Sequence, residues 1–111
     1  MDTTNKGRVG EDLAARLLES AGYRVLQRNI RLPEGEIDLL CRDGRTLVFV
    51  EVKTRSGSSF GRALTAVDAR KRARLRRLAA DYAQIVAPRA TVRFDVVAMD
   101  GERMTLHRNA F

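Results

Sequence analysis

Glu51 and Lys53 stand two positions apart in Phe49-Val50-Glu51-Val52-Lys53, and Asp38 closes a second acidic run, Glu36-Ile37-Asp38. In an extended segment, residues two apart project from the same face. A second carboxylate brought beside Glu51 and Lys53 would make an oxygen-only ligand set, which favours Mg2+ or Mn2+ over zinc. Carboxylates that close repel each other unless something neutralises them. Lys53 supplies one positive charge, and a divalent metal would supply two more. The plainer alternative is a solvated polar face with a Glu51–Lys53 contact at a strand end.

A hairpin decides between these readings. Arg42-Asp43-Gly44-Arg45 lies between two apolar runs, and Asp-Gly in that setting is the strongest short hairpin signal. A two-residue turn at Asp43-Gly44 makes Arg42 face Arg45. Glu36 is then opposite Glu51, and Asp38 opposite Phe49. This register puts Glu36 and Asp38 on the face of Glu51 and Lys53. Asp38 and Glu51 become diagonal neighbours, with backbones roughly 7–8 Å apart. A turn one residue longer would send Asp38 to the other face. Glu11 lies at the edge of a buried helical stripe, where a carboxylate is costly unless paired or metal-bound. Its ordinary alternative is a first-turn acid that favours the helix dipole. Lys71 continues the sheet-facing line of Leu75 and Leu78, able to reach the carboxylates or a phosphate, or to snorkel at the core's rim.

The elements that must position these residues follow from periodicity and punctuation. A helix is predicted over about 5–21, with Leu13, Ala14, Leu17, Leu18 and Ala21 on one stripe and Gly22 as its stop. Tyr23 to Ile30 reads as a strand, broken by Pro33-Glu34-Gly35. Glu36 to Cys41 and Thr46 to Lys53 form the hairpin. Arg55 to Arg62 reads as a loop. A second helix runs from about 64 to 86 on Leu64, Val67, Leu75, Leu78, Tyr82 and Ile85, and Pro88 ends it. Ala90 to Met99, with Val92, Phe94, Val96 and Ala98 on one face, and Met104 to Arg108 are the last strands, joined by a turn at Asp100-Gly101. The order α-β-β-β-α-β-β implies an α/β or α+β domain with a small mixed sheet flanked by helices. Cys41 reads as a small buried apolar group, and Asp95 as a support for Arg93 or for a helix.

Composition bounds the rest. With 111 residues and 44% hydrophobic content, the chain reads as one domain, 1–111, with a real but modest core. No apolar run approaches the roughly 20 residues of a membrane span. The polar start Met1-Asp2-Thr3-Thr4-Asn5 does not read as a signal peptide. One cysteine and one histidine exclude an internal disulfide and most structural zinc sites. A reduced, cytoplasmic setting fits. The net charge is +7. Residues 54–77 carry Arg55, Arg62, Arg70, Lys71, Arg72, Arg74, Arg76 and Arg77 against Asp68 alone. The rest of the chain is balanced, so the excess sits in one loop and one helix. That is the pattern of a face meeting a polyanion, although a solvated helix in an arginine-rich chain is the simpler reading.

The segments Gly7-Arg8-Val9-Gly10-Glu11-Asp12, Gly35-Glu36-Ile37-Asp38-Leu39-Leu40, Phe49-Val50-Glu51-Val52-Lys53-Thr54-Arg55, Arg93-Phe94-Asp95-Val96-Val97 and His107-Arg108-Asn109-Ala110-Phe111 resemble the YraN-like family, in order and over nearly the whole chain. That family resembles Holliday-junction resolvases and belongs with the PD-(D/E)xK, or restriction-endonuclease-like, nucleases. The resemblance implies an α/β three-layer core, a mixed five-stranded sheet flanked by helices. It implies a metal-binding role for Asp38, the E-x-K pair for Glu51 and Lys53, and the helix-one glutamate of the resolvase branch for Glu11. Ile37 stands where the motif often has proline.

The expected activity is hydrolysis of DNA phosphodiester bonds with Mg2+ or Mn2+ held by Asp38, Glu51 and Glu11. Lys53 would orient water or stabilise charge. Glu36 is a weaker candidate for a supporting acid. Arg55, Arg62, Arg70, Lys71, Arg74 and Arg77 would grip the DNA backbone, which positions DNA without reading its sequence. Branched or junction DNA is the expected partner, and paired cuts would need a homodimer. The alternative is a non-catalytic nucleic-acid-binding protein that uses the basic helix 66–77. A basic amphipathic helix on a membrane surface is the weakest reading, because the second helix has few large apolar residues beyond its core stripe.

Overall fold

Alternating and helical apolar spacings place two different faces of one sheet under two different helices. The computed structural model describes residues 3–32, 35–55 and 69–110, and the side chains of residues 9–31, 35–54 and 73–110. Helix α1 spans Thr3–Ser20, then come β1 (Arg24–Leu32), β2 (Gly35–Asp43) and β3 (Thr46–Arg55). Helix α2 spans Ala69–Val86 and is followed by β4 (Thr91–Asp100) and β5 (Arg103–His107). This is the expected order α-β-β-β-α-β-β. Of the expected loop at 55–62, Arg55 instead ends β3; residues 56–62 and the helix start at 64, with Leu64 and Val67, lie outside those described.

The sheet is mixed, with strand order β1-β2-β3-β4-β5. Among the described strands only β3 and β4 pair in parallel. A parallel join needs a crossover, and α2 lies in the chain that makes it. Helix α1 buries Ala14 and Leu18 against Leu39, Cys41, Val48, Val50 and Val97. Helix α2 buries Leu75, Ala79 and Ala83 against Leu40, Leu47, Phe49, Phe94 and Val96 on the other side. The strands alternate accordingly, and the result is a three-layer α/β fold.

Helix α1 stops where Gly22 takes a φ of 96°. The Tyr23 amide bonds the Leu18 carbonyl and the Gly22 amide bonds the Glu19 carbonyl. This is a Schellman cap, with Tyr23 packed in the same cluster as Leu18. Leu13, expected on the buried stripe, is 39% exposed, and Ala15 is buried in its place. Ile85 is 82% exposed. Helix α2 meets the sheet through Leu75, Leu78, Ala79 and Ala83, and the small alanines let it lie close. Val92, expected beside Phe94, is also exposed, because β4 enters the core only from Phe94 onward.

The β2–β3 turn corrects the predicted register. Asp43 pairs with Thr46, Leu40 with Phe49 and Leu39 with Val50. The turn residues are Gly44 and Arg45, not Asp43 and Gly44. Gly44 has a φ of 62°, as the first central residue of a II′ hairpin turn requires. Asp43 is left as a strand residue, and its carboxylate accepts from Arg93 at 3.0 Å. The slip is two residues, so facing pairs still share a side within the ladder.

Candidate active site

The β2–β3 ladder ends at Leu39–Val50. Beyond it, β3 continues through Glu51, Val52 and Lys53 with its other edge paired to β4. Strand β2 continues only against β1, with Ile37 on Ile30 and Glu36 on Arg31. The strands fork, and the β3 amides on the open side lose their ladder partners. A part-buried amide without an acceptor is costly. Asp38 supplies the acceptor: its Oδ2 takes the N–H of Val52 at 2.8 Å. The Asp38 carboxylate is thereby fixed at the residue between Glu51 and Lys53.

Alternation fails at this point, which corrects the expected face of Asp38. Glu51 follows Phe49 on the α2 side and lines a small apolar cavity with Ile37, Phe49, Leu75 and Phe94. Asp38 instead lines a cleft on the α1 side with Gly10, Glu11, Val52 and Thr54, of about 130 Å³. Ile37 and Leu39 pack in opposite clusters, so β2 does not keep a regular pleat through Asp38. Two charged pairs result. Asp38 shares its cleft with Glu11, and Glu51, buried at 7% exposure, meets the Lys53 ammonium at 3.7 Å. The Val52 amide lies between the two pairs. Among the described residues, no three His, Cys, Asp or Glu side chains gather as a metal-holding group.

The cleft has an acidic electrostatic signature. Burial pushes the Glu11 carboxyl above its usual range, and the nearby Asp38 and Glu36 charges push the same way. The polar Asn29 side chain and the charge of Arg28 oppose this without reversing it. Arg28 is itself paired with Asp12. Two crowded carboxylates, with waters completing the shell, are the donor set that Mg2+ accepts. Glu11 and Asp38 fit such an ion, with Glu51 on the neighbouring strand edge.

The basic residues are placed less completely. Arg74 and Arg77 are exposed on α2, beside Leu75, which lines the same cavity as Glu51. Arg62, and the side chains of Arg55, Arg70 and Lys71, lie outside the described residues.

Sequence reasoning missed Asn29, which has a φ of 53° in the middle of β1. Asn is depleted in strands and enriched at positive φ, and that was the available signal. It also missed most of a polar network across the sheet's far end. Asp95 is fully buried. It accepts from the Tyr23 hydroxyl at 2.7 Å, from Arg93 Nε at 3.0 Å and from the Asn109 amide at 2.9 Å. Only its support of Arg93 was foreseen.

The profile of a family described as "Uncharacterised protein family UPF0102" matches residues 10–99. The chain belongs to UPF0102. Relatives bear this out along most of its length. A UPF0102 protein of Dechloromonas aromatica is 50% identical over 109 residues, covering 98% of this chain and 90% of that protein. One from Moorella thermoacetica is 50% identical over 101 residues, covering 89% and 83%. One from Shewanella loihica is 45% identical over 106 residues, covering 96% and 93%. The family model spans Glu11, Asp38, Glu51 and Lys53, so the fork and the cleft lie inside the UPF0102 region. The names of these UPF0102 relatives state no activity.

Proposed function

We propose that this UPF0102 protein is a metal-dependent DNA endonuclease that selects DNA by shape, with branched or junction DNA as its substrate. The observation that carries the reading is the fork: the Asp38 carboxylate is held at the amide between Glu51 and Lys53, with Glu11 across the same cleft. Hydrolysis of a phosphodiester requires charge stabilisation on the phosphoryl oxygens and a polarised water, which Mg2+ or Mn2+ supplies when bound. Asp38 and Glu11 would hold that ion, and Glu51 would join them from the adjoining strand. Lys53 serves twice. It pairs with the buried Glu51 carboxylate, and its ammonium would stabilise the charge that develops on the phosphate. Arg55, Arg62, Arg70, Lys71, Arg74 and Arg77 bind successive phosphates, which fixes the duplex without reading its bases. On this reading the protein acts on DNA in the cytoplasm. Paired cuts across a junction would take a homodimer.

A second reading is a DNA-binding protein without catalysis. It is favoured by the separate cavities of Asp38 and Glu51 and by the lack of a three-carboxylate group among the described residues. One experiment separates the two. End-labelled four-way junction DNA is incubated with the protein and Mg2+ or Mn2+, and binding is followed in parallel by gel shift. The nuclease reading expects metal-dependent cleavage that falls by about 100-fold or more in Glu51→Ala and Lys53→Ala, with binding retained. Tight binding with no cleavage of junction, flap or duplex DNA in either metal would replace it with the second reading.

A further inference from the structure

Arg24 of β1 pairs directly with Arg42 of β2, and both side chains are exposed. Like charges placed opposite each other across strands are destabilising. Val25 and Cys41, the next pair along, pack in the cluster under α1, so both arginines project from the other face. Arg45 follows in the exposed turn. The one acid of that hairpin tip, Asp43, is already held by Arg93 at 3.0 Å. Among the described residues, Arg24, Arg42 and Arg45 take part in no ion pair. Protecting the edge strand β1 from other chains needs charge on β1 alone, and does not ask for an arginine opposite Arg24 on β2.

The place of this tip matters. Gly35, at the other end of β2, packs under α2: a Cβ there would lie 3.5 Å from Leu78 Cδ1. Arg74 and Arg77 lie within about a turn of Leu78 on that helix. The basic stretch of α2 and the hairpin tip thus mark opposite ends of β2, about 24 Å apart at the rise of a strand. Asp38 stands between them, three residues from Gly35 and four from Arg42. We propose that Arg24, Arg42 and Arg45 form a second phosphate-binding anchor, which holds another arm of the DNA bound at the cleft. This rests on the reading of the cleft as a site that acts on DNA. A polyanion at the tip relieves the Arg24–Arg42 repulsion, and guanidinium groups can bind phosphate oxygens in pairs.

The test is binding, with Ca2+ replacing Mg2+ and gels confirming that the DNA stays whole. Fluorescence anisotropy follows a four-way junction and a linear duplex from about 50 to 300 mM salt. The proteins are wild type, the double variant Arg24→Gln/Arg42→Gln, and Arg16→Gln/Arg103→Gln, which lowers the net charge equally from exposed positions elsewhere. The tip variant should bind the junction about 10-fold or more weakly, with the salt slope shallower by about 2 because two phosphate contacts are gone. Its affinity for linear duplex should change by less than about threefold, since one arm still has α2. Its melting temperature should be at or above that of wild type, because a repulsion has been removed. Unchanged junction affinity and slope overturn the proposal. So do equal losses on both DNAs, an equal junction loss in the Arg16→Gln/Arg103→Gln protein, or a lowered melting temperature in the tip variant. Wild-type protein that binds neither DNA removes the DNA reading of the cleft as well. Wild-type protein that binds and cuts junctions, matched by the tip variant in both, removes only the second anchor.

Discussion

At the scale of single residues, burial decides which groups can react. The Cys41 thiol is fully buried, and burial first, then the Asp95 charge, pushes it up to about 12 from 9.0. Burial and the bond to Asp95 push the Tyr23 hydroxyl up to about 12 from 10.0. Both are acids that hold their protons in the fold and release them sooner when unfolded. Stability from these two groups is therefore intact below pH 9 and declines as pH rises from there towards 12. Urea titrations between pH 8 and 11 should show a falling midpoint, and the native thiol should ignore a disulfide reagent at pH 8 that labels the urea-unfolded chain at once. The burial of Cys41 was legible in the sequence, since a lone cysteine in an apolar strand is usually core. The buried environment of Tyr23 was not, because its partners Arg93 and Asp95 lie some seventy residues away and no local pattern joins them.

Elements carry the geometry of the acidic groups. The sequence announced the β2–β3 hairpin through Asp43-Gly44, but its register turned on which residue opens the turn. Glycine does, because the first central position needs positive φ. Gly44→Ala should therefore destabilise the protein by about 1–2 kcal/mol. A Cβ there would meet no atom within 4 Å, so the loss should be conformational and should persist with other L-residues, with asparagine the mildest; chemical denaturation measures it. The even register slip preserved the pairing of faces as far as Leu39. The side taken by Asp38 could not be read, since alternation describes a ladder and Asp38 stands where the ladder ends. Helix α2 teaches a similar lesson. Its large apolar residues suggested a line running to Ile85; Leu75 and Leu78 keep to it, but from there the contact with the sheet passes to Ala79 and Ala83.

For the whole molecule, the far end of the sheet is tied by charge rather than by apolar burial alone. Arg93 reaches Asp95, Asp43 and the Tyr23 hydroxyl, and so links β4 to the β2–β3 hairpin and to the end of α1. The Asn109 and Ala110 amides fasten the chain after β5 to Asp95 and to the Phe94 carbonyl. Asp95→Ala would take from the half-buried Arg93 guanidinium one of its two carboxylate partners, Asp43 remaining, and would leave the Tyr23 hydroxyl and the Asn109 amide without their acceptor; it should cost about 2–3 kcal/mol in a thermal or urea melt, with no direct effect on the cleft near the β2–β3 fork. The parallel join of β3 to β4 bears on how the chain reaches this state. The β1–β2–β3 meander can zip locally, but β3 cannot meet β4 until the long crossover closes, and distant contacts of that kind slow folding. The carboxylate fork belongs wholly to the early meander, while β4, which pairs with β3 alongside Glu51 and Lys53, docks late. A nascent chain stalled before residue 91 would thus expose the central edge of an unfinished sheet, and that exposed edge, more than the acidic cleft, is where self-association would begin.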